Sequence, residues 1–164
     1  MGRELGITVI TGPEWKRVVA ALTRADEEMP GNFKDAIKDV AEKLADEARA
    51  RVLALPTPSN AGHTGLRQKV AEGVHVIDRG NGGVRVITSM PTASESIIPR
   101  GLDRLKGWRH PLFGDKNHWF SNRGYSWFMS TFENGEELFE NRLDHVLNKA
   151  AQDIADAAGL QAGI

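Results

Sequence analysis

Eight of the eleven aromatic side chains fall within residues 98–132. The run contains Trp108-Arg109-His110-Pro111-Leu112-Phe113-Gly114, then Trp119-Phe120, then Tyr125-Ser126-Trp127-Phe128. Only Trp15, Phe33 and Phe139 lie outside it. Large rings carry much apolar area per residue, and an indole N–H needs a partner when buried. Pro and Gly interrupt the run, which excludes one continuous helix or strand and predicts loops and short strands. Such a segment must pack against something. The helical arms on either side are the partners within the chain, and a neighbouring copy is the partner outside it.

A chain of 164 residues is long enough to bury a core and fits one domain, 1–164, with an N-terminal arm over 1–12 and a frayed tail over 159–164. No cysteine is present, which excludes disulfides and thiolate metal sites. The first residues lack the apolar run of a signal peptide, and no apolar stretch approaches the roughly 20 residues of a membrane span. A soluble chain without membrane contact is expected.

The formal net charge is only −1, but the charges are unevenly placed. Residues 1–54 hold nine basic and ten acidic side chains, residues 55–130 ten basic and five acidic, and residues 131–164 two basic and seven acidic. Local salt bridging is one account of this polarity. The other is that the basic middle of one subunit meets the acidic helix of another, or faces DNA.

Ile7-Thr8-Val9-Ile10 reads as an edge strand, or as an arm that pairs with another chain. Thr11, Pro13 and Glu14 form a capping box that opens a helix over 13–28. Met29-Pro30-Gly31-Asn32 is read as its break. A second helix follows over 33–55, where Phe33, Ile37, Val40, Leu44, Ala48, Val52 and Leu55 recur every three or four residues. This stripe is long for so small a core, so part of it is a candidate for facing a partner subunit. After a loop at 56–62, Thr64 caps a short helix over 66–71. Residues 72–78 and 84–89 form a hairpin whose turn, Arg79-Gly80-Asn81-Gly82-Gly83, tolerates positive φ. A helical turn over 97–106 precedes a strand at 108–113, where Pro111 requires an edge or a bulge. A last long helix opens at Asn134, with Glu133, Glu136 and Glu137 complementing its dipole, and carries Phe139, Leu143, Val146, Leu147, Ala150, Ile154 and Ala157 as its stripe. The fold class is α+β: long helices packed on a small antiparallel sheet.

Few residues point to catalysis. His110, Asp115 and His118 lie close in sequence and define one alternative, a metal-dependent nuclease, although no established ligand spacing is present. Gly80-Asn81-Gly82-Gly83 lacks the Lys and helix of a phosphate cradle and reads as a turn. Arg100, Arg104, Lys106, Arg109, Lys116 and Arg123, interleaved with rings, have the composition of a sequence-independent nucleic-acid surface but match no named motif. A monomeric binding module is a further alternative.

Two blocks carry a resemblance. His63-Thr64-Gly65-Leu66-Arg67, after a Pro58-containing loop and before a hairpin, is the first. Gly107-Trp108-Arg109-His110-Pro111-Leu112-Phe113-Gly114, with Trp119 and then Trp127-Phe128 before a long helix, is the second. In this order, over residues 33–164, the chain resembles the tail-completion and minor tail proteins of the head–tail junction of long-tailed phages, the family of lambda protein Z, in its actinobacterial-phage branch. Many relatives carry a Tyr-Ala…Glu-x-Gly-Thr segment after the hairpin, which residues 90–98 do not match. The resemblance implies a non-catalytic neck component of the virion, assembled in the host cytoplasm without a cofactor or metal. It implies a homo-oligomeric ring of six copies around the DNA channel, in contact with other neck proteins, the tail terminator or the head connector. Thr64, Gly65, Leu66, Arg67, Trp108, Arg109, His110, Pro111, Phe113, Trp119, Trp127 and Phe128 are then the structural and interface candidates. Arg100, Arg104, Lys106 and Arg123 are candidates for lining a channel around packaged double-stranded DNA.

Overall fold

The computed structural model of the chain describes residues 5–8, 16, 20, 23, 29–56, 65–80, 83–112 and 115–157. The expected capping box, Asn81, Gly82, Thr64, Phe113 and the tail over 159–164 lie outside these residues. Lys16, Ala20 and Thr23, within the expected first helix, are helical.

Helix α1 (Met29–Leu53) is the centre of the molecule. It is about 38 Å long at 1.5 Å per residue. Phe33, Ala36, Ile37, Val40, Ala41, Leu44, Ala45, Ala48 and Val52 are all buried along it. Three of its alanines have no exposed surface, so neighbouring elements approach its backbone closely. It begins four residues earlier than the apolar periodicity suggests. Pro30 sits in the first turn, where its missing N–H breaks no intrahelical bond, so Met29-Pro30-Gly31-Asn32 starts this helix. The stripe on α1 is covered by the chain itself, by residues 66–72, 74–78, 84–88, 129–133 and 136–157, so the expectation that part of it faces a partner is corrected.

Helix α2 (Leu66–Glu72) runs into β2 (Val74–Asp78), which pairs antiparallel with β3 (Val84–Thr88). Gly65, in the left-handed conformation at φ 67°, occupies the N-cap of α2, which corrects the assignment of the cap to Thr64. The hairpin has the expected register, with Val76 opposite Val86, and Gly80 and Gly83 take positive φ at its turn. Strand β1 (Leu5–Thr8) pairs with the other side of β3, giving the order β1-β3-β2. The N-terminal strand is therefore an edge of the chain's own sheet. Val74, Val84 and Val86 are buried in the same cluster as α1.

A short helix α3 (Ile98–Leu102) leads to a second, separate sheet of two antiparallel strands, β4 (Trp108–Leu112) and β5 (Asp115–Asn122). Its register shifts between Pro111 and Leu112, the irregularity that a strand proline demands. Helix α4 (Met129–Glu133) and helix α5 (Glu136–Ala157) complete the order. Helix α4 was not foreseen. Phe139, Leu143 and Val146 on α5 pack onto the core, and Arg142 reaches Asp39 of α1 at 3.3 Å. The fold is α+β, with helices packed on small antiparallel sheets.

Candidate functional site

The ten interface candidates among the described residues separate into three places. Trp127 and Phe128 are core residues, 2% and 0% exposed, meeting edge to face with ring centres 5.4 Å apart. Phe132 continues this stack 5.0 Å from Phe128. Gly65, Leu66 and Arg67 open α2, and Arg67 donates from Nη2 to the Pro56 carbonyl, tying the start of α2 to the end of α1. The remaining described candidates, Trp108, Arg109, His110, Pro111 and Trp119, form the β4–β5 hairpin.

Alternation along paired strands gives this hairpin two unlike faces. On one face Trp108 stacks on His110 at 4.2 Å, and Phe120 lies 6.0 Å from the same imidazole. On the other face the Arg109 guanidinium sits 5.0 Å from the centre of the Trp119 ring. Trp119 is 49% exposed, yet its orientation is held, because its indole N–H donates to the Lys116 carbonyl at 2.8 Å. The hairpin therefore presents an oriented indole plate in contact with the Arg109 guanidinium and seated on the backbone of an exposed Lys116.

Its base is held by close backbone approach. A methyl group at Gly124 would fall 1.3 Å from the Arg104 carbonyl oxygen, and Gly107, at φ 79°, lies against the Asn122 carbonyl. Trp108 covers Gly101 of α3, where a Cβ would meet the ring at 2.4 Å. Asp103 then joins the hairpin base to the core: its carboxylate accepts from the backbone N–H of Phe128 at 2.7 Å and of Met129 at 3.4 Å, at the start of α4. Burial raises the pKa of this carboxyl, and these hydrogen bonds offset the rise only in part. Neither Asp103 nor these glycines stand out in the sequence, since no local pattern marks a contact spanning 25 residues.

The suggested metal trio is not assembled. His110 Nδ1 lies 3.1 Å from the Pro111 carbonyl and Nε2 lies 3.0 Å from the Asn122 amide nitrogen. Both ring nitrogens of His110 therefore already have hydrogen-bond partners within the hairpin. His118 instead contacts Asp115 at 2.7 Å near the exposed tip. The Asn117 backbone N–H, followed by His118, holds the Asp115 carboxyl below its usual range. Among the described residues no group of three or more His, Cys, Asp or Glu side chains is placed to hold a metal.

Arg100, Arg104, Lys106 and Arg123 are exposed. The contact of Gly124 with Arg104 and Gly107 gathers the last three at the hairpin base, where Arg123 lies 5.8 Å from the Tyr125 ring. Among the described residues no helix is long and apolar enough to cross a membrane. No protein-family model, curated protein or solved structure matches the chain.

Proposed function

We propose that this chain is a structural component of the neck of a long-tailed phage particle, completing the tail at its junction with the head as a six-fold ring around the DNA channel. One observation carries most weight on the physical side. The core is closed by α1 and its neighbours, and the β4–β5 hairpin stands apart from it with Trp119, Arg109 and Lys116 exposed. Oriented Trp and Arg side chains are the residue types that dominate protein–protein contacts. The order of the Thr-Gly-Leu-Arg and Gly-Trp-Arg-His-Pro-Leu-Phe-Gly blocks, which resembles that of phage head–tail junction proteins, supports this choice of assembly. In this reading Arg104, Lys106 and Arg123 face phosphates, without reading bases.

The test is particle assembly with the chain removed. Unjoined filled heads and finished tails are expected by electron microscopy, with joining restored when purified protein is added back. Normal, infectious particles in its absence would remove the proposal.

A further inference from the structure

The charge polarity of the chain has a defined geometry. On α5, Glu140, Asp144 and Leu147 follow at spacings of four and three and so share one face of the helix. The adjoining face, with Phe139, Leu143 and Val146, packs on the core. Leu147 is 42% exposed, and both carboxylates are exposed. Neither makes an ion pair among the described residues, and the same holds for Arg109 and Lys116 on the hairpin. One surface thus offers an exposed apolar side chain one turn from one carboxylate and two turns from another, neither ion-paired among the described residues. The other offers an exposed indole in contact with Arg109, with a second exposed cation, Lys116, three residues along the chain, and neither cation is ion-paired among the described residues.

We infer that these two surfaces bind each other between copies: the hairpin of one subunit docks on α5 of the next. Trp119 covers Leu147, while Arg109 and Lys116 meet Glu140 and Asp144. The inference rests on the ring reading above and names its contact. A two-fold contact of hairpin with hairpin would set like charges opposite one another, which is costly. Pairing unlike patches is heterologous, and repetition of such a contact gives a ring when its rotation closes and an open filament when it does not. The indole is already oriented by the Lys116 carbonyl, so little ordering cost remains at docking.

The experiment uses the full chain, sized by light scattering over a range of concentration and salt, with Lys116→Glu, Glu140→Lys and the double charge swap. The two substituted side chains are exposed, and only the Lys116 backbone holds Trp119, so thermal melts should match wild type. Wild type should form a closed, salt-sensitive oligomer. Each single variant should weaken association at least about tenfold, because attraction becomes like-charge repulsion. The double swap should restore it. Wild-type oligomers indifferent to both single variants overturn this contact while leaving the neck assignment to the particle assay. A wild-type chain that stays monomeric at every concentration overturns it as well. Intact oligomers of Lys116→Glu that have lost affinity for double-stranded DNA overturn it in favour of a nucleic-acid surface. An absence of rescue by the double swap, with both singles dissociated, also counts against the pairing.

Discussion

Phe128 and Trp119 are nine residues apart, and the chain uses them in opposite ways. Phe128 is 0% exposed and is wedged between Trp127 and Phe132 under α1; Trp119 is 49% exposed on a two-stranded sheet. The helical half gathers its apolar side chains from α1, α2, α5 and the three-stranded sheet, so each contact is supported from several directions. The hairpin has only itself and its base. A lone two-stranded hairpin is marginal in water. This one is held where Gly124 meets Arg104, Trp108 covers Gly101, and Asp103 reaches the start of α4. Aromatic density alone therefore does not mark a core: the same stretch supplies both a fully buried ring and, among the described residues, a ring half open to solvent.

If the two halves differ as described, substitutions should sort by place and not by residue type. The largest loss is expected for Phe128→Ala, which empties a fully buried site under α1 and should cost about 3–5 kcal/mol in denaturant unfolding. Gly124→Ala comes next. The added methyl meets backbone and not a movable side chain, so the hairpin base must shift, at a cost of about 1–3 kcal/mol. Its signature should be local, with amide exchange accelerated across β4 and β5 and unchanged in α1. Uniform acceleration across the molecule would show that the hairpin and core are one cooperative unit.

Asp103, the link between the halves, should behave differently when truncated and when neutralised. Asp103→Ala strips the acceptor from the Phe128 N–H and should cost about 1 kcal/mol. Asp103→Asn keeps an acceptor and removes the charge that burial disfavours, so its Tm at pH 7 should equal or exceed that of wild type. The sign follows from linkage. The folded carboxyl has a pKa above its unfolded value of 3.8, so between the two the folded state holds more protons. Stability therefore falls as pH rises through that window and stays reduced above it. The advantage of Asp103→Asn should shrink as pH falls through that window and be gone below 3.8, where wild type is protonated in both states. A constant gap across pH would exclude burial of charge as its cause.

Much of the helical half was legible because it is periodic. The stripe from Phe33 to Val52 announced α1, and Val74, Val76, Val84 and Val86 announced the first hairpin with its register. Pro111 announced its own bulge. The start of α1 was misplaced because Pro30 reads as a breaker, although the first turn of a helix accepts it. Which aromatic residues are buried was not legible. Trp127 and Trp119 are both tryptophans followed directly by a phenylalanine, and what separates them is that one lies in the core cluster and the other on a projecting strand. The base of the hairpin was hidden for the same reason: Gly101, Asp103 and Gly124 act across the fold, and a sequence shows only what acts along it.

Trp119→Ala should have the smallest effect on folding and the most informative one. The ring is half exposed, and its partners, Arg109 and the Lys116 carbonyl, lie within the hairpin. Losing a solvent-facing cation–π contact costs about 0.5–1 kcal/mol at most, and the freed carbonyl can turn to water. Global stability should therefore fall by no more than about 0.5–1 kcal/mol, several-fold less than for Phe128→Ala. Self-association should fall at the same time, because an exposed, oriented indole is the kind of side chain that concentrates contact energy at an interface. A Trp119→Ala chain that folds and associates like wild type would leave the ring with no role in either half. One that unfolds as Phe128→Ala does would show that the hairpin is part of the core, and the division between the two regions would not stand.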